Sequence, residues 1–299
     1  MDKNRLLQFT TDIGLDYVGV SNAEILEDVR VTLAELRKKQ TPCPFEEADI
    51  EKRSNPFLIL PEAKSIITCL FPYYMKELIP ENLSRYAAVC DYHKVAKEKL
   101  GQIAAFITKE TGEKCFTFTD NSPLPDRVLA YRAGLGFFGK NRMLIHPEIG
   151  SYFFIGSVIT TAYFPPDAPL ELDCLNCNRC LEACPGGALS EDGFDFVKCI
   201  SYLTQAKNLT KEQEDLLKKQ TSAYGCDVCQ EVCPYNENLA DTALPEFLTE
   251  TLLSLDKEEI EEMSNRKFCE KYKNFPFTWR GRSVIARNLG QKELDKFCD

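Results

Sequence analysis

Apolar positions recur with helical spacing over residues 4–13, where Leu6, Leu7 and Ile13 share a face and Gly14 follows as a left-handed cap. LDYVGVS (15–21) reads as a strand, and AEILEDVRVTLAELRKKQ (23–40) as a helix whose basic end suits the helix dipole. SIITCLF (65–71) is a short continuous apolar run, the pattern of a buried strand. An amphipathic helix is predicted over 91–112, closed by Gly112, and CFTFTD (115–120) alternates as a strand that delivers Asp120 to its end. A helix-like stretch over 124–133, a glycine-rich turn and a strand at 152–161 follow. The proline-rich segment 164–173 marks a boundary. The pattern predicts an α+β chain: a mixed α/β domain over 1–165, a small second domain over 166–244, and a helical tail over 245–299.

Composition narrows the classes. Of 299 residues, 44% are hydrophobic and 27% charged, a globular mix rather than a disordered one. The formal net charge of −10 argues against a chain that grips nucleic acid by overall charge, while leaving room for a local basic face. The N-terminus MDKNRLLQFTTDIG lacks the apolar core of a signal peptide, and no apolar run approaches the roughly 18 residues of a membrane helix. A cytoplasmic protein with no membrane partner is expected. With 2 His and 14 Cys, the chemistry belongs to cysteine, and reduced cytosolic thiols favour metal ligation over disulfides.

Eight of those cysteines crowd into 174–233. Cys174, Cys177, Cys180 and Cys184 form C-x2-C-x2-C-x3-C followed by Pro185, the bacterial ferredoxin run. Cys199, Cys226, Cys229 and Cys233, with Pro234 after the last, repeat the C-x2-C-x3-C-P ending. In two-cluster ferredoxins the fourth cysteine of a run ligates the other cluster. Crossing the sets assigns Cys174, Cys177, Cys180 and Cys233 to one 4Fe–4S cluster, and Cys184, Cys199, Cys226 and Cys229 to the other. Structural zinc is the alternative, but zinc ribbons space their C-x2-C pairs about 15–20 residues apart. The segment is therefore expected to be ferredoxin-like, with two [4Fe–4S] clusters. The remaining Cys43, Cys69, Cys90, Cys115, Cys269 and Cys298 are expected to be small buried apolar residues.

Two motifs tempt without convincing. Gly134-Leu135-Gly136-Phe137-Phe138-Gly139 matches the G-x-G-x-x-G letters, but a helix precedes it and none opens after it, so a dinucleotide site is not expected. Those glycines either bring backbone, with Lys140 and Asn141, close to a ligand or simply cap and turn the preceding helix. Asp91-Tyr92-His93 stands at a helix start, where Asp91 suits the N-terminal dipole; no histidine ligand to cobalt is read there.

Taken together, several stretches resemble the epoxyqueuosine reductase family: 52–67, 84–100, TDNSPLPDRVLAYRAGLGFFGKN (119–141), the cysteine run with CPGGAL, CISYLTQ (199–205), YGCDVCQEVCPYN (224–236) and TWRGRSVIARN (278–288). The resemblance covers most of the chain. It implies an N-terminal domain that binds cobalamin base-off against the cluster domain. It also implies an external low-potential electron donor feeding cob(I)alamin through the clusters, and a tRNA anticodon stem-loop bearing epoxyqueuosine as substrate. Cobalt would attack the epoxide, and a proton donor would help expel its oxygen as water. Asp120 matches the family's proton donor, and a carboxyl in a dry pocket is expected to have a raised pKa; without the resemblance it reads as a turn or capping residue. Arg53, Ser201, Asp227 and Val228 match cobalamin contacts, with Lys140 and Asn141 as neighbours. Arg85, Arg280 and Arg282 are candidates for phosphate contact, and Tyr86 is the next proton donor after Asp120.

Many family members continue into a C-terminal helical-repeat domain, and this chain stops soon after Asn288, so a short form is expected, working as a monomer. The rivals are a cobalamin-dependent reductase of a small epoxide or halide, for which a twin-arginine signal is missing, and a ferredoxin-type electron carrier, which would not need the first 165 residues.

Overall fold

The computed structural model describes residues 1–120 and 122–290. After helix α1 (Lys3–Asp12) come strand β1 (Val18–Asn22), α2 (Glu27–Lys39), α3 (Ile50–Ser54), β2 (Ser65–Pro72), α4 (Tyr92–Thr111), β3 (Cys115–Phe118) and α5 (Asp126–Arg132). The short hairpin β4 (Phe137–Phe138) and β5 (Leu144–Ile145) leads into β6 (Phe153–Thr160). Four strands form one antiparallel sheet in the order β1-β2-β6-β3. Val18 pairs with Cys69, Ser65 with Thr160, and Phe118 with Ser157.

Both faces of β2 are covered, which is why its sequence reads as an unbroken apolar run. Ile67, Cys69 and Phe71 point into a core built with Leu100, Ile103 and Ile107 of α4 and Leu6 of α1. Ile66 packs on the opposite face against Val29 of α2 and Leu129 of α5, and Leu70 against Ala130 and Ala133. The α+β expectation holds, and so do the helix ends: Gly14 and Gly112 are left-handed, and Asp91 caps α4 by accepting from the His93 N–H.

Boundaries shift for local reasons. Leu15 is not in β1, because its N–H closes the end of α1 on Thr10 O. Helix α2 starts at Glu27 rather than residue 23, since Leu26 gives its N–H to Ser54 O. Strand β3 stops at Phe118, and Asp120 lies beyond it in the left-handed region at φ 62°.

Between β6 and α6 (Arg179–Ala183) the proline-rich segment has neither helix nor strand. The cysteine region then runs through β7 (Leu189–Ser190), β8 (Gly193–Phe194), α7 (Ile200–Leu203), α8 (Lys211–Leu217) and α9 (Val228–Glu231), with α6 packed on α9. The C-terminal helices α10 (Pro245–Leu248), α11 (Lys257–Glu262), α12 (Asn265–Lys271) and α13 (Arg282–Gly290) complete the described chain. Phe268, Tyr272, Phe277 and Ile285 from this part share a core with Leu83, Ala87 and Tyr224, so the helical end is fastened to the first half of the molecule. No helix among the described residues is long and apolar enough to cross a membrane.

Candidate active site and metal centres

The cysteine ligand candidates owe their positions to tight turns. Asn176 and Asn178 adopt φ 58°, a left-handed geometry that Asn tolerates, and this lets Cys174, Cys177 and Cys180 turn about one centre. Cys184 caps the end of α6, Cys199 the start of α7, and Cys233 a 3-10 turn opened by Pro234. Cys174, Cys177, Cys180 and Cys233 line one cavity, together with Gly139, Lys140 and Asn141.

Electrostatics divides the eight thiols in the same way. Cys180 feels Cys174, Cys177 and Cys233, whereas Cys229 feels Cys184, Cys199 and Cys226. The structure thus brings together the two crossed sets of four. Burial is the main cause raising the Cys180, Cys199 and Cys229 thiols, and it pushes Cys226 up to about 12. Burial thus disfavours the thiolate form at these four until a metal displaces the proton. Backbone N–H groups are aimed at the sulfurs, Ala188 N at Cys184 Sγ (3.3 Å) among them, as ligands to an anionic cluster require. Among the described residues no group of three or more His, Cys, Asp or Glu is drawn tightly enough around a point for one metal ion.

Asp120 stands at the tip beyond β3, facing the N-terminus of α4. Tyr92 donates its hydroxyl to Asp120 Oδ2 at 2.8 Å, and His93 Nε2 lies 3.6 Å from the same oxygen. His93 Nδ1 is 2.7 Å from Asp91 Oδ1, so the imidazole bridges two carboxylates. Stacking fixes the group: Tyr92 lies on His93 at 4.1 Å and on Phe154 at 4.0 Å between ring centroids.

The expected raised pKa of Asp120 is corrected here. The His93 contact outweighs burial, and with the Tyr92 donor it holds the carboxyl below its ordinary value. The two carboxylates raise His93 to about 9. At neutral pH the proton of the pair therefore sits on His93. Sequence reading took Asp91-Tyr92-His93 only as a helix start and missed the partnership; its one visible signal was two polar rings placed directly after a helix cap.

Arg53 supports the Asp120 loop, donating from Nη1 to Pro123 O at 3.2 Å, while its Nε is buried without a partner. Close by, Asp126 has an unpartnered buried Oδ1, and burial together with the Asp120 charge raises it to about 7. Ser201 faces the Tyr86 phenol. Asp227 is buried, accepts from the Arg85 N–H at 2.6 Å, and is raised to about 6 mainly by that burial. Val228 opens α9. Lys140 and Asn141 lie against the cysteine region instead: Lys140 Nζ donates to Asn178 at 2.6 Å and pairs with Glu191, and Asn141 donates to Cys229 O.

Two arginines drop out as phosphate contacts. Arg85 donates to the carbonyls of Met75 and Leu78, with its guanidinium over the Tyr74 ring. Arg282 donates to Ile260 O and Glu261 O. The glycine motif serves both alternatives: Gly134 is left-handed at φ 73° just past α5, where a Cβ would meet Ala168 O at 2.6 Å, while Gly139 stands with Lys140 and Asn141 at the cysteine cavity. Of the six other cysteines, Cys69 is in the core, Cys43, Cys90, Cys115 and Cys269 are only partly buried, and Cys298 lies outside the described residues.

Comparison with known proteins matches residues 53–121 to the family described as epoxyqueuosine reductase QueG, DUF1730, and residues 173–236 to the 4Fe-4S double cluster binding domain. The chain is 36% identical to the epoxyqueuosine reductase of Bacillus cereus, over 96% of its own length and 78% of the relative's. For the Bacillus subtilis enzyme the identity is also 36%, over 96% and 77%. Solved structures agree: an epoxyqueuosine reductase with a tRNA-Tyr epoxyqueuosine-modified stem loop superposes with TM-score 0.87 at 35% identity, covering 97% of this chain and 80% of that one. The Bacillus subtilis enzyme with its catalytic aspartate loop swung out of the active site gives 0.87 at 36%, with the same coverage. A catabolic reductive dehalogenase in complex with 3-bromo-4-hydroxybenzoic acid shares the fold alone, at 16% identity and TM-score 0.50, over 95% of this chain and 36% of that one. With relatives this similar along nearly its whole length, the chain belongs to the epoxyqueuosine reductase family.

Proposed function

We propose that the protein reduces epoxyqueuosine to queuosine in tRNA, with Asp120 delivering the proton and two [4Fe–4S] clusters delivering electrons to a bound cobalamin. The observation that carries this reading is a proton-bearing pair, Asp120 and His93, in the same chain as two groups of four cysteines, in a member of this family.

The residues fit a large polar cofactor. Arg53 Nε and Asp126 Oδ1 are buried polar atoms without partners, on elements that flank Asp120. Arg53, Ser201, Asp227 and Val228 are proposed to hold cobalamin, while Lys140 and Asn141 steady the cluster region behind it. When bound, cobalamin supplies a reduced cobalt centre that is nucleophilic toward an epoxide carbon. The chain's own part is the proton. His93 holds it at Nε2, Asp120 Oδ2 receives it, and Tyr92 keeps that oxygen in place. Opening the epoxide so that its oxygen is left on the other carbon as a hydroxyl rather than an alkoxide is the step such an acid assists. Loss of that hydroxyl as water would take a second proton from solvent and, in all, two electrons from the external donor.

Exposure suggests the electron route. Cys177 is exposed and Leu175 beside it is 59% exposed, so an external low-potential donor would dock at the first set. The second set is the one next to the proposed cofactor residues, because Ser201 follows Cys199 and Asp227 and Val228 stand between Cys226 and Cys229. The protein is proposed to act as a monomer in the cytoplasm.

The test is spectroscopic. Anaerobically purified, cluster-loaded protein should convert added cobalamin to a base-off visible spectrum. An unchanged spectrum would remove both cobalamin readings and leave an electron carrier.

A further inference from the structure

Trp279 is the chain's only tryptophan, and it is 57% exposed at the end of a 3-10 turn (Pro276–Arg280). It is nevertheless held firmly. Its Nε1 donates to the Tyr224 hydroxyl, and the Arg280 guanidinium lies over the indole ring, 3.8 Å from the centroid. The same guanidinium lies 4.4 Å from the centroid of Phe45, which is 41% exposed and packs against Tyr202 at 5.0 Å. Three distant segments thus converge on a cation held between aromatic faces.

The arrangement lacks an anion. Among the described residues the titratable neighbours of Arg280 are the Tyr224 and Tyr202 phenols rather than a carboxylate, and its Nε is buried with no hydrogen-bond partner. A stacked arginine without a counter-charge beside an exposed indole is complementary to a ligand that brings both a π-face and negative charge. A nucleotide brings both. Position agrees: Tyr224, which carries the indole, packs on Tyr86 at 6.0 Å between ring centroids, and Tyr86 sits on the same core cluster as Tyr92, the partner of Asp120, so the stack connects to the reaction site.

We infer that Trp279, Arg280 and Phe45 form a stacking platform for a nucleobase of the RNA substrate that flanks the base presented to Asp120. This rests on the functional reading above. It assigns the grip of an acidic protein on RNA to stacking plus one cation rather than to a field of basic residues. It also gives Arg280 a role through its ring partners, distinct from that of the backbone-tied Arg282.

The test uses cluster-loaded full-length protein and a fluorescently labelled anticodon stem-loop, with affinity read by anisotropy at fixed salt. Trp279→Ala should weaken binding about 5- to 150-fold, the range for losing one stacked base, and Trp279→Phe should restore most of it. Iron content and the cobalamin spectrum of both variants should match wild type. Saturable quenching of the wild-type indole emission should share the midpoint of the anisotropy curve. Wild-type affinity in Trp279→Ala would overturn the platform while leaving the RNA reading intact. Lost cobalamin binding with unchanged RNA affinity would overturn it too, by giving the stack to the cofactor. A wild-type chain that binds no stem-loop would remove the functional reading itself, and the platform with it.

Discussion

At the scale of single residues, the chemistry turns on where one proton rests. Asp91 and Asp120 raise His93 to about 9, and the same contact keeps Asp120 ionised. His93 is thus charged through neutral pH, and the charged state is lost as pH rises through about 9. Its raised pKa also favours the fold below its ordinary value of 6.5, a contribution that fades over the same rise. Epoxide reduction should therefore be level near neutrality and fall above about 9. In His93→Gln the rate should drop and its pH limb move to the acid side, because Asp120 must then carry the proton itself; a pH–rate profile of both proteins checks this. Asp120→Asn cannot pass a proton and should cost about 10²–10⁴-fold in rate, with clusters and cobalamin retained. Near wild-type turnover in that variant would reduce Asp120 to a turn residue.

At the scale of elements, α6 lies against α9, and the proposed crossing of the cysteine runs rests on that packing. Cys233→Ser should damage the cluster shared with Cys174, Cys177 and Cys180. Cys184→Ser should damage the other. Iron counts with low-temperature paramagnetic spectra separate the two outcomes, and the reverse pattern would break the partition. The seam between the first half and the cysteine region has its own test at Gly225. It sits at φ 79°, where a Cβ would come within 1.9 Å of Ser84 Oγ and 2.8 Å of Tyr86. Gly225→Ala should cost about 2 kcal/mol or more from the left-handed backbone and the clash, lowering the melting temperature by about 4–8 °C in a thermal scan. Much of this level was legible in sequence. β2 and α4 announced themselves by apolar runs and a capped period, and the cysteines by their spacing. The Tyr92–His93–Asp120 contact and the Trp279–Arg280–Phe45 stack were not legible, because each joins segments that only the folded chain brings together. Arg85 and Arg282 misled because a charged side chain in sequence does not reveal that backbone carbonyls have claimed it.

At the scale of the molecule, 36 basic residues against 46 acidic ones leave a net charge of −10, so an anionic substrate must be gripped locally rather than by the overall field. Anaerobic preparations should contain about eight iron and eight sulfide per chain, as two [4Fe–4S] units, each held by four cysteines, demand; a count near four would leave one cysteine set unfilled. The central claim is tested most directly by mass. Cluster-loaded protein with cobalamin and a low-potential reductant is mixed with an anticodon stem-loop carrying epoxyqueuosine, and the digested nucleosides are weighed after a single turnover. The account predicts loss of one oxygen atom from the modified nucleoside, dependent on added cobalamin and much slower in Asp120→Asn. An unchanged nucleoside mass, with cobalamin bound and reduced, would contradict it.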